Sequence, residues 1–154
     1  MKQVHFSFEL STGCTSVDVY SWITNWHNHA GLYKPNKSVK ILEGDGGIGT
    51  IFEIHSRFMF VKNVETYKVS NLEFKEWPHP HLVIEKHSVG GIYKCQDKIT
   101  IKSMANGCIL NFEMTSDVPK GIMTWLYPIT KWLAYRQILS GWKNAFKKIA
   151  QSKS

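Results

Sequence analysis

The residues best suited to chemistry in this chain are its histidines and the polar side chains set among its apolar strands. The seven histidines include two His-x-His pairs, His27/His29 and His79/His81. Alternate positions of a strand share a face, and imidazoles so placed can ligate zinc or copper. Here the first pair falls near a helix end and the second is interleaved with Pro78 and Pro80. No third ligand stands at a characteristic spacing. The pairs read as exposed turn histidines, and no metal is expected.

Acid–base chemistry has better candidates. Asn63, Glu65, Tyr67, Tyr93 and one of Glu85 or His87 lie in segments that read as strands, where they can point inward. An inward polar group needs a partner or lines a wet cavity. In an apolar pocket, Tyr67, Tyr93, Glu85 or His87 could serve as acid, base or oxyanion donor. Pattern alone leaves the choice open, because a one-residue slip of register exchanges the two faces. Nucleophilic hydrolysis has no support, since there is no Gly-x-Ser-x-Gly elbow. The glycine cluster Gly44-Asp45-Gly46-Gly47-Ile48-Gly49 lacks the Lys-Ser/Thr of a phosphate loop and leads into a strand, so it reads as a turn. Cys14, Cys95 and Cys108 are odd in number and have no CxxC spacing, which fits free buried thiols in a reducing compartment.

These groups must be positioned by a run of strands followed by one long helix. Val4, Phe6, Phe8 and Leu10 alternate with polar residues, which marks a half-buried first strand. Thr15 or Ser16 can cap a short helix with Asp18 in its first turn, and a second short helix or turn ends at Pro35. Strands are expected at about 38–42, 50–60, 61–74, 82–88, 92–104 and 108–118, with Asn106-Gly107 the most specific hairpin signal. From Lys120 to Ser152, Ile122, Trp125, Ile129, Trp132, Tyr135, Leu139, Trp142, Phe146 and Ile149 follow helical spacing. Pro128 predicts a kink or break within that helix. An aromatic face of this size must be covered, and the upstream sheet is the available partner. Together they make a cup with a lid.

The 154 residues suit one domain spanning 1–154, large enough to bury about 70% of its unfolded surface. No apolar stretch approaches the ~20 residues of a membrane span, and the alternating N-terminus lacks a signal peptide's apolar core. A cytoplasmic location is expected. The formal charge of +7 admits nucleic acid, anionic membrane or acidic partners. The cations are dispersed, however, and only the tail with Lys143, Lys147, Lys148 and Lys153 is locally basic. That pattern argues against nucleic acid and allows peripheral contact with an anionic membrane.

The order of elements and several local stretches resemble the START-like superfamily, also known as SRPBCC, which includes polyketide cyclase/dehydrase-like proteins, lipid-transfer domains and the birch-pollen-allergen fold. The resemblance spans nearly the whole chain. It is carried by Phe6-Ser7-Phe8-Glu9, by the run from Ser16 to Asn25, by Val39 to Thr50, by Tyr67 to Leu72, and by the hairpin from Asp97-Lys98-Ile99-Thr100-Ile101 to Asn106-Gly107-Cys108-Ile109-Leu110. It implies an α+β helix-grip fold, in which a curved antiparallel sheet of about seven strands wraps around a long C-terminal helix, with two short helices after the first strand.

The resemblance also implies an internal cavity for a lipid, sterol, polyketide or other apolar molecule, with no cofactor. By strand alternation the expected lining is Phe52, Ile54, Phe58, Tyr67, Tyr93, Ile99, Ile101, Leu110, Phe112 and Met114 from the sheet. Trp125, Ile129, Trp132 and Leu133 would join from the helix, with Arg136 as a cation at the mouth. For any one of them, filling the core is the simpler role. The expected function is binding, with transport an extension of it, of a hydrophobic small molecule or lipid. The alternative is a cyclase/dehydratase-type enzyme for a polyketide-like or aromatic substrate, although no catalytic set of the family transfers onto this chain.

Overall fold

The structure, a computed structural model, describes residues 3–58, 61–75, 81–90, 94–117 and 122–152. Its strands are β1 (Gln3–Thr12), β2 (Asn36–Glu43), β3 (Ile51–Phe58), β4 (Val61–Lys75), β5 (His81–Gly90), β6 (Cys95–Met104) and β7 (Gly107–Asp117). The helices are α1 (Ser16–Thr24) and α2 (Ile122–Gln151), and a 3₁₀ segment covers Trp26–Leu32. The strands form one seven-stranded antiparallel sheet in the order β1-β7-β6-β5-β4-β3-β2. β1 and β2 therefore sit at opposite edges. The connection between them, α1 and the 3₁₀ segment, crosses from one edge to the other. This is the helix-grip arrangement expected from the sequence.

Local chemistry explains the boundaries. Thr15 precedes α1 in extended conformation; its Oγ1 accepts from the Asp18 amide at 3.2 Å and donates to the Asp18 carboxylate at 2.6 Å. That reciprocal cap satisfies a helix-end donor which would otherwise be orphaned. The β6–β7 turn differs from expectation by one residue. Met104 pairs with Gly107, so Ala105 and Asn106 are the turn residues and Gly107 opens β7 at φ +128°. A Cβ there would sit 2.0 Å from the Thr12 carbonyl oxygen, because the hairpin closes against the end of β1.

α2 runs unbroken through Pro128, where the sequence predicts a kink or break. Proline removes one backbone donor and leaves the flanking ladder to carry the helix. The C-terminal half of α2 is fixed in the core by Trp142, Ala145, Phe146 and Ile149, all buried. Gly141 lets it approach closely, since a Cβ at that position would lie 2.1 Å from the Leu32 carbonyl oxygen. Phe8 and Phe112 stack at 5.1 Å, and Tyr135 of α2 meets Phe6 and Phe8 edge-on at 6.0 and 5.9 Å.

Two substitutions test these close approaches. Gly141→Ala is expected to destabilise the protein by about 2 kcal/mol or more, although alanine is the better helix former by about 1 kcal/mol. Gly107→Ala is expected to cost a similar amount through strain at positive φ and collision with Thr12. Equilibrium urea unfolding measures both, and a Gly141→Ala protein as stable as the parent would contradict the backbone contact.

Candidate functional site

The sheet's inner face is sealed along its middle, and on several strands the residues beyond are only half-buried. On β7, Cys108, Leu110 and Phe112 are buried, but the next inward residues, Met114 and Ser116, are half-buried. On β3, Phe52 is fully buried while Ile54 and Ser56 are half-buried. On β4, Val69 and Tyr67 are buried while Glu65 and Asn63 are half-buried. On β1, Phe8 is buried while Phe6 and Val4 are half-buried. The registers Phe8↔Phe112, Phe6↔Met114 and Ile54↔Glu65 carry this pattern across β1 with β7 and β3 with β4.

α2 lies along this face. The Cys14 thiol donates to the Phe146 carbonyl at 3.5 Å, Tyr135 meets Phe6 and Phe8, and Lys131 donates to the His5 carbonyl at 3.3 Å. The helix thus runs from the Gln3 end of β1 at its start to the Thr12 end at its finish. Its well-anchored half lies towards the Thr12 end of β1, and its first half lies towards the Gln3 end.

Towards the Gln3 end of β1 the inner face carries a polar cluster, most of it buried. Glu65 accepts from Asn63 Nδ2 at 3.1 Å and from the Tyr67 hydroxyl at 2.9 Å. Tyr67 stacks on Phe52 at 5.8 Å, and the Lys86 ammonium stands 4.4 Å from the Tyr67 ring centre. Lys86 Nζ donates to Asp97 Oδ2 in a buried ion pair, with side chains only 6% and 10% exposed. Asp97 Oδ1 is buried and takes no hydrogen bond from the described residues. The Cys95 thiol donates to Ser116 Oγ at 3.3 Å.

Burial sets the protonation states. It raises the Tyr67 phenol well above its ordinary value, reinforced by the Asp97, Cys95 and Glu65 charges. Burial also pushes the Cys95 thiol up to about 11, against the lowering effect of its Ser116 hydrogen bond. Burial, followed by the Lys86 charge, lowers His29 to about 3, against the raising effect of its bond to the Ile23 carbonyl. This end of the face therefore presents a neutral phenol, a neutral thiol and a compensated ion pair. It can meet the polar end of a guest by hydrogen bonding.

Of the residues expected to line a cavity, Phe52, Tyr67, Ile99, Ile101, Leu110 and Phe112 lie in the buried inner face. Ile54 and Met114 lie half-buried on the same face. Tyr93 lies outside the described residues, as do the side chains of Phe58 and Trp125. Ile129, Trp132 and Leu133 are 66%, 56% and 37% exposed, and the exposed Arg136 guanidinium sits 4.9 Å from the centre of the Trp132 ring. The reason is angular. Ile129 and the inward-facing Tyr135 lie six residues apart, and at about 100° per residue they stand about 120° apart around the helix. The apolar spacing read from the sequence drifts around the axis, so the two halves of α2 do not share one apolar side.

Glu85 and His87, weighed as acid or base, fall on the outer face, because Leu82, Ile84 and Lys86 take the inward positions. Glu85 instead pairs with Lys98 at 3.0 Å. Lys86 and Asp97 are the residues that sequence reasoning missed. Their signal is parity: each continues an alternation of buried apolar residues, Leu82 and Ile84 for one, Ile99 and Ile101 for the other. His29 is buried with its Nε2 2.9 Å from the Ile23 carbonyl, while His27 Nδ1 lies 3.1 Å from the Val39 carbonyl. His79 lies outside the described residues, as does the side chain of His81. Among the described residues no three His, Cys, Asp or Glu side chains gather as a metal set, and the three cysteines are free and buried. A recess of about 360 Å³, lined by Ser7, Glu9, Thr100, Lys102, Asn111 and Glu113 among others, lies on the sheet's outer side, away from this polar end.

The sheet order, the crossing helical connection and the gripped C-terminal helix define a helix-grip fold. No protein-family model matches the sequence, and no curated protein matches it significantly. Solved structures do share its backbone. The crystal structure of TTHA0849 from Thermus thermophilus is similar at a TM-score of 0.75 and 13% identity, covering 99% of this chain and 100% of that one. The crystal structure of Ara h 8.0201 is similar at a TM-score of 0.60 and 15% identity, covering 96% of this chain and 95% of that one. At such identities the likeness is one of fold.

The ion pair and the buried imidazole make separable predictions. Asp97→Ala leaves Lys86 buried and uncompensated and is expected to cost about 3–5 kcal/mol, whereas Lys86→Met with Asp97→Leu is expected to be neutral or stabilising. Chemical denaturation of both variants checks the contrast. For His29, the folded value lies below the unfolded 6.5, so the unfolded chain binds the extra proton and stability falls as pH drops below 6.5 towards 3. Between pH 6.5 and 5, above the carboxylate range, that loss is expected to approach about 1.4 kcal/mol per pH unit. His29→Gln should flatten the slope in thermal melts over the same window.

Proposed function

We propose that the protein binds a hydrophobic small molecule or lipid between the sheet and the first half of α2, with any polar group of the guest directed at Glu65, Tyr67 and the Lys86–Asp97 pair. The observation that carries this reading is the incomplete cover of the inner face. Phe6, Ile54, Glu65 and Met114 point to the gripped side of the sheet and yet are only half-buried. Apolar surface left uncovered there gains about 25 cal/mol for each Å² that a guest removes from water. A site that is mostly apolar with a few convergent polar groups is the usual composition of a small-molecule pocket. The engagement of these polar groups with one another favours holding a guest over transforming it. Among the described residues, Glu65 is engaged by two donors and Asp97 by Lys86, while the thiol stays protonated.

Native mass spectrometry and organic extraction of freshly purified protein test this. A co-purifying apolar molecule, or micromolar uptake of an added one, is expected. Met114→Trp, which adds bulk on the inner face, is expected to weaken uptake at least about tenfold, a loss of about 1.4 kcal/mol. Protein that stays empty and refuses apolar probes would overturn the reading.

A further inference from the structure

α2 carries Lys131, Arg136, Lys143, Lys147 and Lys148 and not one acidic residue. A long surface helix ordinarily mixes both signs, since Glu–Lys pairs a turn apart support it. Here every charge on the element is positive. Of these cations, Arg136, Lys143, Lys147 and Lys148 are exposed.

The outward side of the same helix is divided along its length. Towards the first half it exposes Ile129, Trp132 and Leu133. Beyond them, Arg136, Ser140, Lys143 and Lys147 continue the outward side, all exposed. At 1.5 Å rise per residue, the face from 129 to 147 is about 27 Å long. Scattered exposed apolar residues are ordinary on protein surfaces. A tryptophan, an isoleucine and a leucine within two turns, followed by a file of cations, make a different pattern. Trp132 is moreover bracketed by Arg136, whose guanidinium lies 4.9 Å from its ring centre. Tryptophan and arginine are both suited to the boundary between hydrocarbon and headgroups, where an amphipathic ring and a snorkelling cation each find their preferred depth.

We infer that the outward face of α2 docks on an anionic lipid surface, with Ile129, Trp132 and Leu133 entering the headgroup–acyl boundary and Arg136, Lys143 and Lys147 lying over the phosphates. Charge complementarity selects this occupant. A second copy of the chain would set cation against cation. A nucleic acid would meet the cations and leave Ile129 and Leu133 without a partner. Interfacial helices combine apolar insertion with basic attraction in this way. Each basic residue adds electrostatic attraction to an anionic leaflet. The half-buried inward residues Phe6 and Met114 lie towards the same end, so a guest held there would enter or leave next to the bilayer. The docking itself does not depend on the interior holding a guest.

The test is vesicle co-sedimentation of the full chain with phosphatidylcholine vesicles and with vesicles in which phosphatidylglycerol replaces part of that lipid, at low and high salt. Binding to the anionic vesicles alone is expected, weakening as salt rises. The double variant Lys143→Glu/Lys147→Glu is expected to lower affinity at least about tenfold. Ile129→Ser/Trp132→Ser should lower it by a similar factor and reduce quenching by brominated lipid. All four positions are exposed, so the variants should melt like the parent. Equal binding to neutral and anionic vesicles, or no binding to either, overturns the inference. So does an unchanged affinity in the Ile129→Ser/Trp132→Ser variant, and so does binding to double-stranded DNA that equals or exceeds binding to the vesicles.

Discussion

One anchored helix governs the molecule. α2 is held at its C-terminal half, where Trp142 is fully buried, Phe146 and Ile149 join the core, and Gly141 lies against the backbone of Leu32. The rest of the helix must project from that point over whatever the sheet presents. Its length follows from its sequence, and its direction follows from contacts with Cys14, Phe8 and His5. The outward placement of Ile129, Trp132 and Leu133 follows from the way this helix is laid against the sheet.

Much of this is legible in the sequence. The alternation in β1, the Thr15 cap and the helical segment after the strands follow from periodicity and capping rules, which depend on near neighbours in the chain, while the helix-grip arrangement is what the resemblance implied. What is not legible depends on partners far away. Lys86 and Asp97 look like solvated strand residues until register sets them opposite each other, and that register turns Glu85 and His87 outward by the same step. The spacing of apolar residues in α2 reads as one face, yet its drift carries Ile129 and Trp132 away from the side that meets Phe6 and Phe8. The Asn106-Gly107 signal falls one residue late, because Gly107 is required by Thr12 and not by the turn alone.

The comparison with known structures separates fold from chemistry. At 13% identity the backbone of TTHA0849 follows this one over nearly its full length. A gripped helix needs only apolar residues of suitable size at inward positions, and many sequences supply them. The buried charges are a different matter. An ion pair within the inner face gains little over a well-packed apolar pair and costs heavily if one member is lost. Here it also sets its neighbours, since the Lys86 charge helps keep His29 neutral and the ammonium rests over the ring of Tyr67. That places a buried, charge-compensated pair within the inner face.

The most direct measurement is a crystal structure of the protein soaked in 1-bromonaphthalene, with bromine located by its anomalous scattering. The account expects a bromine peak between the first half of α2 and the inner face near Ile54, Glu65 and Met114. Side chains meeting across that space with no bromine in it, or peaks confined to the outer surface, would contradict it.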